Sequence, residues 1–307
     1  MASSGKHKSL KSVGHKLSRA LLGSHRVRLM RWMRTRRDLQ RLANADVVFV
    51  SYAKAGRTWT RVMISRLYQT KYGLPDSIVI DGDSLHRLNA KVPRMLFTMG
   101  NYIADRYPVT SLPSPYADHK VIFLARHPAD TAVSFYFHLR NRVNPNLKDV
   151  KQVADAEGAR DIFDHLQNSP RGLRHVIQYM NDWAIALGHC THNLLLRYED
   201  LRADPVPQLR RIAAFLGDDF TDSQFRDAAD FASFAKLKEK ERENFFTTSK
   251  LQARDADNPD SFKVRRGKVG GYVDYLTPEQ TAWVEATIAR DLNAVFGYSG
   301  AAATVAS

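Results

Sequence analysis

Nine consecutive residues, Ser51-Tyr52-Ala53-Lys54-Ala55-Gly56-Arg57-Thr58-Trp59, join a short apolar run (Val47-Val48-Phe49-Val50) to a segment with helical character from about Thr58 to Tyr72. A strand, a tight loop and a helix N-terminus together form an anion site, because backbone N–H groups and the positive end of the helix dipole face the same point. Against the phosphate-binding pattern Gly-x-x-x-x-Gly-Lys-Thr the spacing is kept, but Ser51 stands for the first glycine and Arg57 for the lysine. The lysine lies earlier, at Lys54. That describes a phosphate cradle and a poor ATPase loop. A second run, Val121-Ile122-Phe123-Leu124, leads into Ala125-Arg126-His127-Pro128-Ala129-Asp130-Thr131-Ala132-Val133-Ser134. Arg126 leaves the strand end and Ser134 lies about two helical turns further on. A rigid fork of donors plus a hydroxyl can hold a phosphate by charge and by direction.

These segments resemble sulfotransferases that use 3′-phosphoadenosine 5′-phosphosulfate (PAPS). Lys54-Ala55-Gly56-Arg57-Thr58-Trp59 is similar to the family's Lys-Ser-Gly-Thr-Thr-Trp loop. The resemblance implies that this loop wraps the 5′-phosphosulfate, that Lys54 acts catalytically on the bridging oxygen, and that Trp59 packs on the adenine. The segment from Arg126 to Ser134 is similar to the family's 3′-phosphate segment. Arg265-Arg266-Gly267-Lys268-Val269-Gly270 is similar to its Arg-Lys-Gly-x-x-Gly motif, which implies 3′-phosphate contacts for Arg265, Arg266 and Gly267. Two weaker echoes are Tyr198-Glu199-Asp200-Leu201, whose tyrosine would border the adenine, and Ser233-Phe234-Ala235-Lys236, whose ring would face the base. The matches keep the family's order from about residue 46 to 276. They imply an α/β, P-loop-like three-layer fold, PAPS as co-substrate without a metal, and in-line sulfuryl transfer to a hydroxyl or amine of a small-molecule or glycan acceptor.

One departure concerns activation of that acceptor. The family carries a histidine base in a Pro-Arg-x-x-Lys-Thr-His stretch, and this chain has Pro93-Arg94-Met95-Leu96-Phe97-Thr98-Met99. Met99 then stands at the histidine and Phe97 at its lysine, and neither takes a proton. A relocated base (His86, His119, Asp83 and Asp105 are near in sequence), an acidic acceptor such as a phenol, or nucleotide binding without turnover would each account for it. Gly271-Tyr272-Val273 also departs from the family's Asp-Trp-Lys. A P-loop kinase, the rival within the fold class, would need a Gly-Lys-Thr loop that is missing.

The elements around these residues read as alternating strands and helices. Val47–Val50, Met95–Phe97, Val121–Leu124 and Leu194–Leu196 are apolar runs suited to strands buried on both faces. Helical patterns fall at about 129–140, 172–188, 205–216 and 278–293, with Pro205 and Pro278 suited to first turns. That alternation predicts a parallel sheet covered on both faces. The segment from about 236 to 275, polar and without a clear period, reads as a long surface loop.

The chain's formal charge of +14 is uneven. Residues 1–42 hold twelve Lys and Arg against Asp38, a net 12 − 1 = +11, which leaves 14 − 11 = +3 for the rest. The organisation expected is a basic leader over 1–42 and one domain over 43–300. Within the leader, residues 1–16 read as disordered and 17–42 as a rough basic amphipathic helix, either packed on the domain or touching an anionic surface. No nucleic-acid motif or aromatic ladder accompanies the charge. The one cysteine, Cys190, forbids an intramolecular disulfide and reads as a small buried hydrophobe. No stretch approaches the ~18 consecutive apolar residues of a membrane span, which points to a cytoplasmic enzyme.

Overall fold

The computed structural model describes residues 25–141, 143, 148–153, 158–248, 251 and 267–298. The described elements are, in order, α1 (25–43), β1 (Val47–Val50), α2 (Arg57–Tyr72), β2 (Met95–Thr98), β3 (Lys120–Ala125), α3 (Pro128–Asn141) and α4 (Lys148–Lys151). They continue with α5 (Ile162–Asn168), α6 (Leu173–Gly188), β4 (His192–Arg197), α7 (Tyr198–Ala203), α8 (Pro205–Leu216), α9 (Asp222–Phe231), α10 (Phe234–Arg242) and α11 (Pro278–Asp291). A 3-10 turn spans Gly271–Tyr275.

The four strands form a parallel sheet in the order β2-β1-β3-β4. Side chains alternate between faces: Val48 and Val50 enter the core shared with α3 and α6, while Val47 and Phe49 enter the core shared with α2, α8 and α9. The sheet is therefore covered on both sides, as the α/β reading expected. Pro205 and Pro278 open α8 and α11, where Asp204 and Thr277 supply the N-caps. In this strand order the connections from β1 and β3 diverge, and a ligand crevice is expected beyond their carboxyl ends. The two phosphate-type segments leave those two strand ends.

The long-loop reading of 236–275 is corrected in its first part. Residues 234–242 are helical, with Leu237 and Glu241 buried one turn apart while lysines and glutamates cover the other faces. Two inward positions in nine are too few for a period to show in the sequence. Residues 249–250 and 252–266 lie outside the described residues.

Residues 25–42 of the leader belong to a helix bound to the body. On α1, Arg26, Thr35, Asp38 and Leu42 are buried. Arg31 donates to the Val150 carbonyl at 2.9 Å, Thr35 to the Tyr102 carbonyl at 2.7 Å, and Arg41 pairs with Asp81 at 2.7 Å. Residues 1–24, which include the segment read as disordered and the first part of the expected amphipathic helix, lie outside the described residues.

Candidate active site

Gly56 is the N-cap of α2 and has φ 100°, in the left-handed region. It offers no side chain to its own helix, so the N–H groups of Arg57 and Thr58 are left uncapped for an anion, while the Trp59 N–H donates to the Gly56 carbonyl at 2.9 Å. Its bareness is also steric: a Cβ there would lie 2.5 Å from Cδ2 of Tyr198. Lys54, two residues earlier, holds φ 74°, which costs a non-glycine residue about 1–3 kcal/mol and occurs where surrounding contacts enforce it. One such contact is visible, because Arg126 Nη1 donates to the Lys54 carbonyl at 3.0 Å.

Arg126 joins all three phosphate-type segments. Besides Lys54, it donates to the Lys268 carbonyl at 3.2 Å, lies 3.7 Å from Asp130 and sits 4.4 Å over the Tyr198 ring. Its Nε is buried without a hydrogen-bond partner, a donor suited to an incoming anion. Asp130 in turn accepts from the backbone N–H of Gly270 at 2.9 Å and of Tyr272 at 3.0 Å. Burial pushes its carboxyl up, against the pull of Arg126 and those N–H groups. The carboxylate thus pins the 267–272 loop against the N-terminus of α3.

Aromatic rings wall the same space. Trp59 donates its indole N–H to the Ala232 carbonyl at 2.7 Å and meets the Tyr198 ring edge-on at 5.7 Å, with Arg202 5.5 Å over its face. Phe234 approaches Gly267, where a Cβ would come within 2.8 Å of its ring at φ 63°. Behind the loop, His127 stacks on Tyr272 at 4.9 Å, and its backbone N–H donates to Glu199 at 2.9 Å. Burial drives the His127 imidazole down to about 4.

A cavity of about 500 Å³ collects these groups: Lys54, Gly56, Arg57, Thr58 and Trp59 border it, as do Arg126, Ser134, Tyr198, Phe234 and Gly267. Arg57 bends away from an anion at the loop, donating to the Ser51 carbonyl at 3.1 Å and to the Thr98 carbonyl. Its desolvated guanidinium falls to about 10. Ala55 is buried behind the loop, and Ser233 is the N-cap of α10; neither borders the cavity. Arg265 and Arg266 lie outside the described residues. Among the described residues, no group of three or more His, Cys, Asp or Glu could hold a metal ion.

The cavity extends beyond the loops, past Phe97, Thr98 and Met99 at the end of β2, to α1 and α4. His86, His119, Asp83 and Asp105 do not border it; His86 is bonded to the Val92 carbonyl at 2.7 Å and Asp105 to Arg31. His138, one turn beyond Ser134, and Asp38 of α1 do border it. Sequence reasoning missed Asp130, Arg202 and the α1 residues. Asp130 was visible inside the Arg126–Ser134 segment, whereas its loop-pinning appears when residues 270–272 fold back onto α3.

A family model described as a sulfotransferase domain matches residues 44–296. Among curated proteins, a flavonol 3-sulfotransferase of Flaveria bidentis is 26% identical over 81% of this chain and 82% of its own length. Cytosolic sulfotransferase 14 of Arabidopsis thaliana is 27% identical over 79% of this chain and 74% of its own. Among solved structures, a mouse sulfotransferase complexed with PAP aligns with a TM-score of 0.48 at 22% identity, over 81% of this chain and 84% of that one.

Proposed function

The chain belongs to the sulfotransferase family, and from that premise we propose that it passes the sulfuryl group of PAPS to a hydroxyl or amine of a small-molecule acceptor, with Lys54 as the catalytic cation. The observation that carries this reading is the convergence of Lys54, Arg126 and the 267–272 loop on one cavity, through the bonds of Arg126 and Asp130. The residues fit such a donor at both of its anionic ends. The α2 N-terminus and Lys54 suit the phosphosulfate, whose transferable group the donor supplies. Arg126, with its orphaned Nε, and Ser134 suit the 3′-phosphate. Trp59, Tyr198 and Phe234 supply the aromatic wall that borders the base in this proposal. Arg265 and Arg266 complete the 3′-phosphate grip in this proposal.

Sulfuryl transfer in line needs positioning and charge neutralisation above all. Lys54 supplies positive charge where the bridging oxygen gains negative charge. Arg57 acts indirectly, tying the loop to the end of β2. Met99 at the family's histidine position favours a second reading, nucleotide binding with little turnover. Against it stand two groups on the cavity wall able to accept a proton, His138 and Asp38.

The location proposed is the cytoplasm, supported by relatives named as cytosolic. No helix among the described residues is long and apolar enough to cross a membrane. We propose further that the working domain includes α1, although the family model begins at residue 44. Its outward Leu29, Trp32 and Met33, with Arg36 lying 5.9 Å over Trp32, suit contact with an anionic surface.

Titration of 3′-phosphoadenosine 5′-phosphate (PAP) tests the donor site. Wild type should bind it and ignore ATP, and Arg126→Ala should bind about 10²-fold more weakly, since charge-assisted hydrogen bonds carry about 1.5–3 kcal/mol each. Equal binding of ATP sinks the reading. Release of PAP from PAPS with an acidic phenol then separates turnover from mere binding.

A further inference from the structure

The cavity carries more positive charge than its donor end explains. Lys54, Arg57, Arg126, Arg202 and Lys268 surround the loops that suit the phosphates and the sulfuryl group. Five further cations border the opposite side: Arg34, Arg37 and Arg41 of α1, then Lys151 and Arg171. Contacts fix these as one rim. Arg31 of α1 donates to the Val150 carbonyl at 2.9 Å, and Arg171 donates to the Gln152 carbonyl at 3.0 Å, so α1, α4 and the start of α6 meet there. Arg34 is held by the Tyr102 hydroxyl at 2.6 Å and Arg41 by Asp81 at 2.7 Å. Each of these bonds uses one nitrogen of a five-donor guanidinium, so it aims the group without exhausting it. Among the described residues, the acid bordering this rim is Asp38, already 3.1 Å from Arg37.

Gathering like charges around a cavity opposes folding, a cost that a bound anion offsets, and a cleft of one sign concentrates ligands of the other. The cavity also has an apolar and aromatic part to its wall, from Tyr52, Phe97, Met99, Phe135 and Val153, beside the polar Thr98 and His138. We propose that the acceptor is a hydroxylated, mostly apolar small molecule carrying an anionic group (carboxylate, sulfonate or phosphate), which the rim of Arg34, Arg37, Arg41, Lys151 and Arg171 receives. This rests on the sulfotransferase reading and names the acceptor class for the same cavity. It also gives α1, which precedes the matched family region, a direct part in substrate choice.

The test uses the full chain with PAPS and a matched naphthol series: 6-hydroxy-2-naphthoate, its methyl ester, 6-hydroxynaphthalene-2-sulfonate and 6-hydroxy-2-naphthyl phosphate. kcat/KM is measured for each, and binding to the PAP-saturated protein is measured by calorimetry. At least one anionic naphthol should exceed the ester by about tenfold in both readouts, and the order among the three identifies the anion. In Arg37→Gln and Arg171→Gln that ratio should shrink towards one. Arg37 is 60% exposed with Asp38 as its partner, so its replacement leaves the fold standing. An ester equal to or better than every anion, a ratio unmoved in both variants, or no response to any of the four at millimolar concentration overturns the proposal. PAP titration of the same preparation separates the two levels. If PAP binds and the ester wins, the acceptor class alone is wrong; if PAP does not bind, the sulfotransferase reading falls with it.

Discussion

At the donor end of the cavity, loops are tied to one another through their backbones: Arg126 bonds the carbonyls of Lys54 and Lys268, and Asp130 bonds the N–H groups of Gly270 and Tyr272. At the opposite rim, side chains from α1, α4 and the turn before α6 come from separate segments, and the contacts that aim them are made by the side chains themselves: Arg34 with Tyr102, Arg41 with Asp81, and Arg171 with the Gln152 carbonyl and His175. The first arrangement fixes chain conformation, including positive φ at Lys54, Gly56 and Gly267, and tolerates few residue types. The second fixes charge and can change one residue at a time without moving the backbone. A shared donor chemistry and a variable acceptor would require that division.

The largest effect expected is at Lys54. Lys54→Ala should lower kcat by about 10²–10³, in the range seen for removing one transition-state donor, while PAP affinity changes far less. A loss of PAP affinity as large as the loss in kcat would make Lys54 a general anchor and blur the contrast between the ends. Gly56→Ala comes next, because it meets two obstacles. The residue would be forced to φ 100°, and its Cβ would lie 2.5 Å from the Tyr198 ring. A cost of about 1–3 kcal/mol is expected, read as a lower urea midpoint together with weakened PAP binding. A smaller effect should follow Asp130→Asn, which keeps one acceptor oxygen and loses the other with the charge. PAP affinity should fall about tenfold without loss of kcat at saturation, the mark of a positioning residue. The rim variants should leave PAP affinity unmoved, and a rim variant that weakens PAP would break the division.

The same division decides what the sequence could tell. Lys54–Trp59 and Arg126–Ser134 are contiguous, sit between a strand and a helix, and draw their meaning from that local context, so the parallel sheet and the donor loops were readable without coordinates. The rim was not. Arg34, Arg37, Asp38 and Arg41 read as the polar face of a basic helix, and the direction of that face depends on Thr35 and Arg31 reaching Tyr102 and Val150 across the fold. Helix α10 was hidden for a related reason, because two buried positions among nine leave no period. Met99 shows the reverse case: its departure from the family pattern was plain in sequence, but its partners in the cavity, His138 and Asp38, come from segments 39 and 61 residues away.

The smallest expected effect concerns acid. His127 stacks on Tyr272 behind the donor loop and is kept neutral by burial, at about 4; His175, beside Arg171 and Tyr52 near the rim, is likewise held at about 4. In the unfolded chain each titrates near 6.5. Above that pH both are neutral in either state and add no pH dependence. As pH falls from about 6.5 towards 4, the unfolded chain takes up protons that the folded chain refuses, and stability declines. His127→Phe preserves a ring against Tyr272 and removes the titration. Its urea midpoint should therefore fall less between pH 7.5 and 5 than that of wild type, and its PAP affinity should lose part of its acid sensitivity. His175→Phe should flatten the stability profile in the same direction while leaving the pH dependence of PAP binding as in wild type. Identical PAP profiles for the two variants would mean that the ends of the cavity are coupled through the core, and the separation drawn between them would have to be given up.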